Sequence, residues 1–537
     1  MMLLLLLALV VYLVYRWSVA TFDYFEKRGV PFVKPLPLVG NLWPVIRRKQ
    51  HPVDAAILGY EKFPQNRLSG MFQFRRPGYL LHDPELVKLI TIKDFDHFTD
   101  HSNVVPIDVD PFLGRSLFFM EGQRWKTARS GLSPAFTGSK MRNMCSLLSK
   151  YANEATQRLV KDAGGRKLEK EVREMFQKFG SDVTTSISFG IEVDSVHDSS
   201  DIFYRMGQRL TRTGGLQGIK FFLSFILPVS IFKALKIRFH PKDTVDFYLN
   251  TTTEAIQQRE QHKVVRPDFI HLLLQARNSE LKAEQADVKY SSAGFSTVQE
   301  HMKSSTAESN YTDMDIAAAT ATFYFGGIET TTVLLSFAIY EMALNPSIQE
   351  KLRAEIDSVW RELDNKELSY EAIQQMKYLD MVVSETLRKW PPLGVTNRRC
   401  VKSYTVEDYD GNKVVIEAGT LIQIPIFAIH RDGKYFPEPL RFDPERFSDQ
   451  NRSRLNQDAF MPFGTGPRNC IASRLALMQA KCFLFYILAN FEVEFSSKMK
   501  LPIEIDKTSL GLKAVGGFWF NFIPKNASEN VGDGGFI

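Results

Sequence analysis

Ten residues constrain this chain more than any other stretch: Phe463-Gly464-Thr465-Gly466-Pro467-Arg468-Asn469-Cys470-Ile471-Ala472. Two glycines and a proline make a tight turn. The turn delivers a lone cysteine to the start of an apolar stretch, Ala472 to Leu488, that reads as a helix. A thiolate at a helix N-terminus is favoured by the positive end of the helix dipole and can accept backbone N–H bonds. Gly464 and Gly466 let the backbone approach a flat partner, and Arg468 is placed to meet an anionic group. A lone cysteine is usually only a small buried hydrophobe, so the weight lies on the residues around it. The other cysteines, Cys145, Cys400 and Cys482, form no close pair. Four in all are too few for a disulfide framework, and a reducing compartment is expected.

The rest of the chain must build a scaffold for this turn. Its 537 residues, 44% apolar, suffice for a large core, and 41 Phe suggest a wide apolar interior or ligand cavity. A net charge of +6, spread along the chain, does not argue for nucleic acid but suits an acidic partner or an anionic membrane surface. Met1 to Tyr15 is an almost unbroken apolar run, interrupted by Arg16 and followed by Lys27, Arg28 and Lys34. It reads as an uncleaved anchor with the bulk of the chain on the cytoplasmic side. A signal peptide would want a basic region before the run and a clean small-residue site after it. The expected organisation is an anchor at 1–20, a linker with a Pro-rich hinge at 21–45, and one catalytic domain at 46–537.

Helical periodicity dominates that domain. Met141 to Val160, Glu169 to Ser186, Thr244 to His262, Phe269 to Ala276 and Pro346 to Leu363 read as amphipathic helices. Thr312-Asp313-Met314-Asp315 is a capping-box pattern that opens a long apolar helix, Ile316 to Leu344. Asn278 to Asn310 is polar and reads as a surface loop. Predicted strands are short: Val401 to Val406, Lys413 to Ile416, Thr420 to Ile424 and Phe518 to Ile523. The fold class is mainly α with small β-sheets.

Three further patterns matter. Glu385 and Arg388 share a helix face, ahead of Trp390-Pro391-Pro392 and of Pro444-Glu445-Arg446-Phe447 downstream. Gly326-Gly327-Ile328-Glu329-Thr330-Thr331 puts two glycines inside the long helix, at roughly 1 kcal/mol each relative to Ala. A local widening of the helix would explain them, and so would a close helix crossing. An acid beside a hydroxyl can relay protons. Trp125 and Arg129 lie on one helix face.

Together these resemble the cytochrome P450 superfamily, in family order along nearly the whole chain. The cysteine loop matches F-G-x-G-x-R-x-C-x-G at Phe463, Gly464, Gly466, Arg468 and Cys470, and departs at Ala472, where glycine is usual. The glycine-acid-threonine segment matches the oxygen-activation motif at all six positions. The resemblance implies the cytochrome P450 fold behind an N-terminal transmembrane helix, and haem b with its iron on Cys470. It implies haem contacts from Trp125, Arg129, Arg398, Phe463 and Arg468. Thr330 would hydrogen-bond dioxygen, and Glu329 would help deliver protons. Glu385, Arg388 and Arg446 would form a buried structural triad. Pro462 to Gln479, His430-Arg431-Asp432 and Arg266-Pro267-Asp268-Phe269 are most similar to microsomal insect enzymes of family nine.

The chain carries no nucleotide fingerprint, so electrons must arrive from outside. The resemblance implies an NADPH–cytochrome reductase on the endoplasmic reticulum membrane, cytochrome b5 as a second donor, and a hydrophobic small-molecule substrate. Arg124, Lys126 and Arg474 flank the haem motifs and could form a basic docking face. Lys220 to Lys233, apolar with basic ends, reads as a segment that dips into the bilayer or as a core helix. Pocket walls are expected around Val104 to Phe119, Thr320 to Phe325, Leu393 to Thr396 and Ser509 to Val515. The competing classes are a haem-thiolate isomerase or dehydratase, which needs no oxygen activation, and a non-catalytic membrane protein that binds haem or an apolar ligand.

Overall fold

The protein was described from a computed structural model. It describes the whole chain except residues 103–104, 106, 108, 137, 197, 199, 212–219, 221–222, 224–228, 236, 267, 279–294, 299–310, 365, 510 and 526–537. Most of 278–310 and half of 220–233 therefore lie outside the described residues.

The chain opens with α1 (Met2–Val19), whose residues are exposed except Ser18, which is buried, and Val19, which is half-buried. At 1.5 Å per residue its 18 residues reach about 27 Å, close to the hydrocarbon thickness of a bilayer. The stretch after it is not a free spacer. Phe25 is fully buried and packs against Phe72 and Tyr79 at ring distances of 5.1 and 5.3 Å. Phe32 bridges to Gly70, and Asn41 exchanges hydrogen bonds with the Phe72 backbone at 2.9 and 2.6 Å. Prolines keep this segment from becoming helical, but its aromatic residues fasten it to the sheet.

That sheet contains β1 (Leu68–Gln73) and β2 (Arg76–Leu81), with β4 (Thr396–Arg399) and β7 (Leu421–Ile424) from much later in the chain. The order is β1-β2-β7-β4, with β2 and β7 parallel and the other pairs antiparallel. A second sheet, β3-β9-β8, joins β3 (Leu168–Glu171), β9 (Trp519–Pro524) and β8 (Phe491–Phe495). A hairpin pairs β5 (Tyr404–Glu407) with β6 (Lys413–Ile416).

Helices make up the other layer. α2 (Gly122–Leu132), α3 (Gly138–Ala163) and α4 (Val172–Phe189) precede α5 (Lys242–His262) and α6 (Phe269–Arg277). Then come α7 (Asp313–Leu344), α8 (Pro346–Leu363), α9 (Lys377–Lys389) and α10 (Ser473–Asn490). α7 is the axis of the core. Thr312 and Asp315 form both halves of its capping box, and 20 of its 32 residues are buried. Its length and apolarity would suit a membrane span, but this burial makes it a core helix. α4 crosses it closely, and α3 packs on α10 behind the cysteine loop.

Candidate functional site

The cysteine loop begins at Met461, whose carbonyl accepts the Gly464 N–H at 3.0 Å. Gly464 and Gly466 both sit at φ +73°, the left-handed region that favours glycine. A Cβ on Gly466 would lie 1.8 Å from the Thr91 carbonyl, so no other residue fits there. The loop closes where the Cys470 N–H donates to the Phe463 carbonyl at 2.9 Å. Arg468 and Asn469 are buried, whereas Cys470 has a face open to solvent. Protein packed around the sulfur pushes its thiol up, and the Ala472 N–H and the Arg129 charge oppose that rise.

Cations gather beside this loop. Arg129 donates to the Asn469 carbonyl and side chain at 2.9 and 2.6 Å. Arg468 lies 3.9 Å from the centre of the Trp125 ring and donates to the Thr99 and Met120 carbonyls, both at 2.8 Å. Among the described residues its acidic partner is Asp100, at 3.3 Å. Arg398 reaches the Thr465 carbonyl at 3.2 Å and has no carboxylate within ion-pair distance among the described residues. The pleat of β4 separates the two neighbours: Arg398 turns inward, while Arg399 turns outward to Asp100 and Glu121. Burial pushes the Arg398 guanidinium down to about 10. Burial, then the charge of Arg398, takes Arg468 to about 9. His101, buried beside them, is held well below its usual value by burial and by the same two arginines. The motif reading passed over His101, since a single histidine in an irregular loop carries no spacing signal.

This concentration of buried positive charge calls for an anion. The Arg398 Nε has no hydrogen-bond partner among the described residues. The carboxylates of a haem macrocycle fit this surplus, and the thiol of Cys470, an exposed residue beside buried neighbours, fits its iron. Among the described residues no cluster of three or more His, Cys, Asp or Glu is arranged to hold a metal ion. A metal on Cys470 must bring its other ligands with it.

The middle of α7 is open although the stretches on either side of it, Ile316 to Ala321 and Thr331 to Met342, are buried: Phe325 and Thr330 are exposed. The two glycines there do different things. A Cβ on Gly327 would come 2.9 Å from Thr184 Cγ2 on α4, so this glycine permits the helix crossing. A Cβ on Gly326 would meet nothing within 4 Å. The helix is not interrupted at this point, contrary to the expected widening; instead Thr330 Oγ1 donates to the Gly326 carbonyl at 2.7 Å. Glu329 is ion-paired to Arg173 of α4 and accepts from Gln177 at 3.1 Å. Neither partner could be found from sequence, as each lies about 150 residues away.

Glu385, Arg388 and Arg446 come together. Arg388 binds Glu385 through two hydrogen bonds, at 2.7 and 2.8 Å, with both side chains fully buried. Arg446 approaches the same carboxylate at 3.5 Å, and the Asp443 N–H donates to it at 2.9 Å. On the surface, Arg124 and Lys126 are each committed to an acid, Asp315 and Asp96, at 3.0 Å. Arg474 donates to the Phe136 carbonyl. Two of the three cations of the expected docking face are thus paired with acids of their own, while the Arg474 bond is to a neutral carbonyl.

A thiol at the end of a glycine-shaped turn, buried cations beside that turn and an opened stretch in a core helix are together what a haem-thiolate protein needs. Comparison with known proteins agrees. The family described as cytochrome P450 matches residues 30–519. The probable cytochrome P450 9f2 of Drosophila melanogaster is 38% identical over 529 residues, covering 97% of this chain and 99% of the relative. Cytochrome P450 9e2 of Blattella germanica is 36% identical over 527 residues, 96% of this chain and 95% of the relative. Cytochrome P450 6j1 of the same cockroach is 33% identical over 513 residues, 95% of both. The chain belongs to the cytochrome P450 family, and the relatives it resembles include insect members of family nine. It is a monooxygenase, and haem b is its prosthetic group.

Proposed function

We propose that this monooxygenase inserts one atom of dioxygen into a hydrophobic small molecule, a xenobiotic or an endogenous lipid or hormone. Electrons come from NADPH through a membrane-bound reductase, with cytochrome b5 as an accessory donor. The enzyme works at the endoplasmic reticulum membrane, held by residues 1–20 with its catalytic domain on the cytoplasmic face. The observation that carries this reading is the opened stretch of α7, where an exposed hydroxyl and an acid stand in an otherwise buried helix. A haem-binding protein without oxygen chemistry has no use for them.

Haem would supply a redox-active iron, on which a thiolate ligand favours O–O cleavage. The chain does the rest. Cys470 would hold the iron through its sulfur, and Trp125, Arg129, Arg398 and Arg468 would hold the propionates, with Phe463, packed against the core, supporting the loop. Thr330 Oγ1, already donating to Gly326, keeps its lone pairs toward the open face. Glu329 moves a proton inward only by loosening its hold on Arg173 and Gln177, so these two set its resting position. Ala472 adds a methyl where the family usually has glycine and would tune how closely the loop packs on the haem. Phe325 offers an apolar wall to the substrate.

Two measurements test the reading. Reduced wild-type protein should give the thiolate-type carbon monoxide difference spectrum, and Cys470→Ala should lose it. With reductase and NADPH, wild type should consume oxygen coupled to product, and Thr330→Ala should divert consumption into peroxide. A holoenzyme that turns over substrate without consuming oxygen would instead be an isomerase or dehydratase.

A further inference from the structure

His430 is fully buried and belongs to none of the groups assigned above. It stands between two of them. On one side is α9: Arg388 Nη1 donates to the His430 carbonyl at 2.8 Å, and His430 Nδ1 lies 3.2 Å from the Arg388 carbonyl. On the other side is the cysteine loop: the Met461 N–H lies 2.9 Å from His430 Nε2.

The chemistry of these partners fixes the ring. A backbone N–H can only donate, so Nε2 accepts; a carbonyl can only accept, so Nδ1 carries the proton. A cationic imidazole has donors on both nitrogens and would break the Met461 contact. Burial, then the charge of Arg388, lowers His430 to about 3, so the neutral ring persists over the working pH range. Phe460 stacks on the ring at 5.5 Å and Phe436 meets it edge-on at 6.1 Å, which holds its plane.

We propose that His430 is a positioning residue for the thiolate: its ring ties the Glu385–Arg388 lock to the cysteine loop and sets how firmly Cys470 is seated. The connection is continuous. Glu385 holds Arg388, and Arg388 holds His430 by backbone and guanidinium. His430 holds Met461, whose carbonyl takes the Gly464 N–H, and two residues on Phe463 takes the N–H of Cys470. The lock thereby acts on the loop as well as on the stability of the fold.

The inference rests on the haem-thiolate reading, and the test separates the two. Haem-loaded wild type, His430→Leu and His430→Gln are compared as reduced carbon monoxide complexes at equal haem content, with helicity checked by circular dichroism. Leucine strands the Met461 N–H and the Arg388 carbonyl. Its ratio of thiol-type to thiolate-type absorbance should rise about tenfold, the change expected when a buried backbone group loses its partner. Glutamine carries one acceptor and one donor and should restore the ratio to within about threefold of wild type. Should leucine not accumulate as haem protein, His430→Asn, whose shorter amide reaches only one partner, should still raise the ratio several-fold. Variants that lose thermal stability but keep the wild-type ratio overturn the proposal, leaving His430 a core residue only. A wild type that itself lacks the thiolate band overturns the haem-thiolate reading, and this inference with it.

Discussion

Single residues here carry energies that can be measured apart from activity. Glu385 holds two arginines in a site without solvent, and burial raises its carboxyl against their pull. Glu385→Gln keeps the shape but leaves Arg388 uncompensated, and should cost about 3–5 kcal/mol, read from urea unfolding of the haem-loaded protein. Asp182 tests burial alone. One of its oxygens accepts both the N–H and the hydroxyl of Ser195, at 2.9 and 2.6 Å, yet burial lifts its carboxyl from 3.8 to about 6. The folded state therefore binds this proton more tightly than the unfolded chain. The resulting stability is present below 3.8 and is lost as pH rises through about 6. Asp182→Asn, whose carbonyl can accept the same two bonds, should remove this slope and stabilise the protein at pH 7 by at most about 3 kcal/mol. Urea midpoints of both proteins at pH 5 and pH 7 check it, and equal slopes would refute it.

At the scale of elements, α7 shows why two adjacent glycines are not equivalent. Gly326→Ala places its methyl in open space and should gain about 1 kcal/mol in helix propensity. Gly327→Ala drives its methyl against Thr184 of α4 and should lose about 1–3 kcal/mol through overpacking. Thermal midpoints of the two variants should therefore move in opposite directions. The long helices were legible because their apolar faces and caps are local; Pro346–Leu363 and Lys413–Ile416 fall where the periodicity places them. The strands show the limit. β1 is buried on nearly every residue and so lacks alternation. β4 reads Thr-Asn-Arg-Arg, a sequence no strand propensity favours, and it is a strand because β7 pairs with it. β3 takes the residues where the helical pattern of Glu169 to Ser186 begins, since β9 claims their backbone. Phe491–Phe495 alternates plainly and could have been read directly.

For the whole molecule, the boundary between anchor and domain is the sharpest expectation. Deleting residues 1–20 removes an exposed apolar helix and should release the protein from membranes with its thermal midpoint unchanged. Deleting residues 1–41 also takes Phe25 and Phe32 off the sheet, and should lower stability by at least the ~3–5 kcal/mol typical of one buried aromatic. Fractionation and thermal melting of both truncations decide it; equal melting would mean that the segment after α1 is a spacer after all. By itself the sequence determined a mainly helical scaffold and singled out the candidates for the chemistry: which cysteine, which threonine and which acid–base helix. Those signals lie within a few residues of one another, where backbone geometry dictates what faces what. Tertiary structure alone decided that Arg398 rather than Arg399 turns inward, that Glu329 rests on Arg173, and that Arg124 and Lys126 have acids of their own. It also decided that His430 joins the lock to the loop. Each of these depends on groups distant in sequence, brought together only when burial makes an unpaired charge or backbone group too costly to leave alone.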